Sequence, residues 1–306
     1  MRKLFMCVSA LFVTAALHAE DVSAKFSALM DQIRNGETIS FDYDYFTAYE
    51  NVASTVVSAG IFFSDSNADV RYQAYRYASI AALKSENDSL KMLFVEDLVR
   101  SCNDSASIVV QNAYQQLEKF ERSCFSDEAK NLLENAVQKE RFFPERAVLV
   151  GGYVGSDNMK SVIMDIKSLL TKKSQRWNAD VALARLGAKT SIESVISTVS
   201  GMNLDLKFID VILPSLLYTR QRDIYDWLLN KCLSDDCSCG SYNPMGGKST
   251  PCAYYIMYEI ADYITGFPIK RDEDGDKDDE FSKSDVKKMR DWILSNPNYE
   301  IVDLSY

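Results

Sequence analysis

The chain has 306 residues, 47% of them hydrophobic, with 44 acidic against 34 basic side chains and a formal net charge of −10. That length is ample to bury a core without help from crosslinks. The acidic balance argues against nucleic acid, whose affinity depends on Lys and Arg neutralising phosphates, and against anionic membrane surfaces.

Arg2 and Lys3 precede an apolar run from Leu4 to Leu17 that ends at small residues before Glu20 and Asp21, the layout of a signal peptide. Cleavage is expected after Ala19, so that residues 1–19 are removed and a periplasmic or extracellular protein remains. The run is shorter than the roughly 20 residues a bilayer span needs. No later stretch approaches that length, which predicts no stable membrane insertion after cleavage. The product would hold 287 of the 306 residues, and its charge falls from −10 to −12 once Arg2 and Lys3 are gone. The one histidine, His18, lies in the removed segment. Without imidazole, Ser/His and Cys/His nucleophilic pairs and histidine metal sites are excluded. No cofactor is expected.

Proline is absent from 20–143, and apolar residues there recur at spacings of three and four, the helical period. The segments VRYQAYRYAS from Val70, VVQNAYQQLEKF from Val109 and AVLVGGYVGS from Ala147 place Ala74, Ala113 and Gly151 four positions in. A shorter copy, NADVALARLGAKTSI from Asn178, puts Ala182 at the same place. A small residue there lets a second helix approach closely. Intervening helices are expected over Leu90–Cys102, Asp127–Gln138, Asn158–Leu170 and Ser191–Ser200, and a terminal helix over Ser284–Leu294.

Val70-Arg71 followed by Ala74, and ALARLGAKTSI from Ala182 to Ile192, resemble the second helix of HEAT repeats over about residues 66–200. The segments LKFIDVILPSLLYT and PCAYYIMYEIADYI extend the likeness more weakly. The resemblance implies an all-α fold, an irregular HEAT-like α-solenoid of stacked antiparallel helix pairs. Residues 20–306 are read as a single helical repeat domain in which each pair must stack on its neighbours to bury its apolar face. An unrelated helical bundle would show the same period.

Two loops interrupt the later part, a Cys/Gly-rich one at 234–251 and an acidic one at 270–283. Six cysteines remain after cleavage: Cys102, Cys124, Cys232, Cys237, Cys239 and Cys252. In an oxidising compartment the even count predicts disulfides, with Cys102 joined to Cys124 and two bridges among the later four. Zinc held by those four is the alternative, disfavoured by the CxC spacing. GGKST at 246–250 lacks the glycine and the leading strand of a phosphate-binding loop. In the acidic loop, Asp272, Asp274, Asp276 and Asp278 offer oxygens that calcium accepts, but no EF-hand frame fits, and a solvated charge run is the plainer reading.

At about 100° per residue, Tyr72, Arg76, Gln111, Gln115 and Tyr153 fall on the helix faces turned away from the expected core. Tyr, Arg and amide side chains suit recognition of a protein or peptide partner. The function expected is therefore that of an exported, non-enzymatic binding or scaffold protein. The alternative is a glycan-acting enzyme on a helical toroid that uses paired carboxylates, with Asp97, Asp180 and Asp226 as candidates.

Overall fold

The computed structural model describes residues 21–239, 250–277, 282–303 and 306; the expected signal peptide and most of GGKST lie outside them. Regular structure among the described residues is all-α. Extended pairing is confined there to isolated bridges, Ser238 with Pro251, Ile264 with Ile301 and Arg271 with Lys277. No helix among these residues is long and apolar enough to cross a membrane. The chain divides into two compact units, one up to Val150 and one from Gly151, with Tyr306 in the second.

The first unit contains α1 (residues 21–34), the short α2 (Tyr43–Phe46), α3 (Val52–Gly60), α4 (Ala68–Lys84), α5 (Asp88–Arg100), α6 (Ser107–Leu117) and α7 (Asp127–Lys139). Side-chain oxygens start several of these helices: Asn67, Asn87 and Ser126 accept from the amides of Asp69, Leu90 and Ala129. Such caps satisfy amides that have no intrahelical partner. Lys84, Arg100 and Lys139 lie in the last turns, where a cation opposes the negative end of the helix dipole. α4 packs on α3 and α6, and α5 on α7 as well as on α4 and α6. Ala74, Ala78 and Ala81 are fully buried, so α4 meets its neighbours through methyl groups. Phe94, Leu98, Leu117 and Leu133 fill the space between, each side chain worth roughly 1.5–3 kcal/mol of burial.

α8 (Pro144–Val154) carries the chain into the second unit, followed by α9 (Met159–Leu169), α10 (Lys173–Arg185) and α11 (Lys189–Ser200). A π-helical turn, Phe208–Ile212, runs into α12 (Leu213–Tyr218), and α13 (Arg222–Lys231), α14 (Cys252–Ile260) and α15 (Lys283–Ser295) follow. Pro214 explains the π-turn: it has no N–H to return to the Asp210 carbonyl, so the preceding turn is free to widen. α10 packs on α9, α11 and α12, α11 on α13, and α13 on α14. Ser282 and Asp285 form a capping box at the start of α15. Beyond α15 the chain returns to Ile264 and Thr265, where the Thr265 amide donates to Glu300 and the Val302 amide to Tyr263.

The expected intervening helices correspond to α5, α7, α9 and α11, and the terminal one to α15, each within two residues at either end. The cysteines require a correction. Cys102 and Cys124 are not bridged; both are buried free thiols, and burial pushes both up. Cys102 ends α5 in a 3-10 turn, with Sγ directed to the Leu98 carbonyl of its own helix. Among the later four, one bridge forms, Cys239–Cys252, and Cys232 and Cys237 remain free.

Candidate functional site

The second unit contains a cavity of about 420 Å3 lined by Ile209, Asp210, Leu213, Pro214, Leu217, Tyr218, Arg220, Glu259, Tyr263 and Tyr306. Its wall is the π-turn and α12, and its far side comes from α14 and the chain beyond it.

Arg220 follows the C-terminal residue of α12 by two positions and has φ +52°, the one non-glycine residue with positive φ among the described residues. Helices often end on a left-handed residue, but glycine normally takes that place. An L side chain there costs roughly 1–2 kcal/mol, and such backbone strain clusters at ligand sites. The Arg220 side chain is also buried, with 8% exposure. Nη1 donates to the Leu217 carbonyl and, at 3.3 Å, to the Tyr225 hydroxyl. Nε is buried with no partner, and the Tyr263 ring covers the guanidinium at 4.0 Å. Tyr225 donates to Leu217 in turn at 2.8 Å. Burial pushes the Tyr225 hydroxyl up to about 12, with the Arg220 charge opposing; it remains a neutral donor at physiological pH.

A second arginine lies behind the lining residue Tyr218. Arg185, at the end of α10, is 6% exposed. Its Nη1 donates to the Tyr218 carbonyl and its Nη2 to Asp303, both at 2.7 Å. Its guanidinium lies 4.5 Å from the Tyr218 ring centre and 5.0 Å from that of Tyr153. Tyr306 meets the Tyr153 ring edge-on at 5.5 Å and the Tyr218 ring at 5.3 Å. The cavity is therefore lined by one guanidinium, Arg220, and the rings of Tyr218, Tyr263 and Tyr306, with Asp210 and Glu259 exposed to solvent. Such a site can hold a side chain or chain end by stacking and by guanidinium hydrogen bonds.

The expected partner-binding residues divide. Tyr72 and Arg76 on α4 and Gln115 on α6 are half-buried, and Gln111 is exposed; α4 and α6 are packed against each other, so these four share one pair of helices. Tyr153 is corrected: it is fully buried, because Arg185 and Tyr306 cover the helix face that periodicity assigned to solvent. The carboxylates named for glycan chemistry are separately engaged. Lys167 donates to Asp180 at 2.5 Å, and Arg222 and Tyr299 donate to Asp226 at 3.1 and 2.8 Å. Burial raises Asp97 in the first unit.

In the acidic loop the Asp272 carboxylate accepts from the amides of Asp274 and Asp276, and Arg271 and Lys277 both pair with Asp262 at 2.7 Å. Asp278 lies outside the described residues. No group of three or more His, Cys, Asp or Glu side chains suited to a metal occurs among those described. Nothing local in the sequence marks the cavity, because Arg220 sits in an ordinary-looking Thr-Arg-Gln stretch at the end of a helix. No protein-family model matches the chain, and comparison with curated proteins and with solved structures gave no match.

Proposed function

We propose that the chain is an exported, non-enzymatic binding protein of the HEAT-like α-solenoid type, built from stacked antiparallel helix pairs, which recognises a protein or peptide partner. Alternate helices pack on one another within each unit, α4 on α6 and α5 on α7, then α10 on α12 and α11 on α13. This two-row pattern is the one stacked helix pairs require and supports the solenoid reading. The Cys239–Cys252 bridge supports an oxidising compartment.

The observation that carries the binding reading is Arg220, a buried arginine in a left-handed backbone conformation that lines a cavity together with three tyrosines. Glycine would relieve the backbone, so the arginine is held there at a conformational cost. Arg and Tyr are the residue types that most often dominate protein recognition.

A photo-crosslinking residue placed at Glu259, on the cavity edge, tests this in the native host, with a second probe at Gln111 on the α6 face. A discrete protein adduct from position 259 that Arg220→Ala abolishes is the expected result. Absence of any protein adduct at both positions, or an adduct at 259 indifferent to Arg220→Ala, would overturn the proposal.

A further inference from the structure

Cys237 and Cys239 flank Ser238, whose isolated antiparallel bridge to Pro251 leads directly into Cys252 at the start of α14. The Cys239 amide donates to the Thr250 carbonyl at 3.0 Å and the Cys252 amide to the Cys237 carbonyl at 2.9 Å, which pairs Ser238 with Pro251 and sets Cys237 directly opposite Cys252. Residues two apart on extended backbone project to the same side, so Cys237 shares the face of Cys239, which the bridge turns toward Cys252. The existing bridge joins the diagonal pair, with Cα atoms 4.9 Å apart. The bond from the Cys252 amide to the Cys237 carbonyl by itself holds those two Cα atoms roughly 5–6 Å apart, inside the range of roughly 4.4–6.8 Å that disulfides accept. Cys252 therefore has two partners of comparable reach, one bonded and one free. Their exposure differs: Cys239 and Cys252 are 2% and 0% exposed, whereas Cys237 is half-buried.

We infer that these three cysteines form an internal thiol–disulfide exchange site in which Cys252 alternates between Cys239 and Cys237. The Cys237 thiolate attacks Sγ of Cys252; the Cys237–Cys252 bond forms, the Cys239–Cys252 bond breaks, and Cys239 leaves as a thiolate that takes up a proton. The proton that Cys237 gave up balances the one Cys239 gains, and no net oxidation occurs. One thiol is free in either register, half-exposed in the first and at the buried Cys239 position in the second. Exchange therefore gates the thiol's reactivity toward electrophiles and toward other disulfides. This site is independent of the Arg220 cavity.

Disulfide mapping on the full chain, isolated oxidised and quenched in acid before alkylation, tests it. Both the 239–252 and the 237–252 linkages are expected, with alkylated Cys239 appearing in step with the second. Cys237→Ser should remove all alkylated Cys239, and Cys239→Ser should bridge Cys237 to Cys252 while keeping the helical circular dichroism of the parent. A parent that yields only the 239–252 linkage after prolonged incubation would overturn the inference. So would a folded Cys239→Ser protein in which Cys252 stays reduced.

Discussion

Gly152 lies where α8 crosses α10, and a methyl group built onto it would stand 2.8 and 2.9 Å from Cβ and Cα of Ala182 and 2.7 Å from the Tyr218 hydroxyl. Real Cβ contacts are not that short, and two of the three atoms belong to a helix whose backbone would have to move. Gly→Ala in a helix interior normally gains roughly 0.5–1 kcal/mol from backbone entropy. Overpacking a tight contact costs typically 1–3 kcal/mol. The clash should win, and Gly152→Ala is expected to destabilise the second unit by about 1–2 kcal/mol, or roughly 2–8 °C in Tm for a unit of this size. Removing the facing methyl with Ala182→Gly relieves one of the three contacts, so the double variant should recover only part of the loss. Urea and thermal unfolding followed by circular dichroism measure both. A Gly152→Ala protein as stable as the parent, or more so, would refute the close-approach reasoning.

The Arg71–Asp104 pair should matter to the first unit: both side chains are about nine-tenths buried, and Nε and Nη2 each donate to one carboxylate oxygen at 2.7 Å. Arg71→Met strands the carboxylate and is expected to cost about 3 kcal/mol in denaturant unfolding. Burial works to raise the Asp104 carboxyl, but its bonds to Arg71 and to the Ala106 amide outweigh that and hold it below the usual value. A depressed folded value means the contribution is complete above the unfolded Asp value, about 3.9, and is lost as pH falls through the folded one. Asp104→Asn should therefore flatten the acid limb of the stability profile, measurable by urea titrations across that range. Arg220→Gly should change stability by less than about 1 kcal/mol, because relief of the left-handed backbone offsets the lost hydrogen bonds, and a larger loss in unfolding experiments would mean that the side chain is chiefly structural. Phe94→Ala, at a site 2% exposed on α5, should cost about 3–5 kcal/mol.

Helix placement was legible in the apolar period, and side-chain caps set the observed starts: Asn87 before α5, Ser126 before α7 and Ser282 before α15. The small residues four positions into the segments from Val70, Val109 and Asn178, namely Ala74, Ala113 and Ala182, are all fully buried. The tight α8 contact, however, is made by Gly152. Periodicity alone could not place Tyr153, since it reports a helix face and not what later covers it. Arg185 comes from α10 and Tyr306 from far along the chain, contacts that no local pattern encodes. Arg220 was hidden for the same reason, as its left-handed backbone follows from how α12 ends. Cysteine spacing suggested partners but carries no register, and it is the Ser238–Pro251 pairing that sets Cys252 against Cys239 and Cys237.

The most direct measurement is the affinity of the full chain for the protein segment crosslinked at position 259, by calorimetry, for the parent, Arg220→Lys and Arg220→Ala, with helix content checked in each. Arg220→Ala should weaken binding at least tenfold, about 1.4 kcal/mol, with Arg220→Lys also weakened because a lysine cannot reproduce the planar guanidinium stacked on Tyr263. Equal affinities across the three folded proteins would contradict a partner site at this cavity.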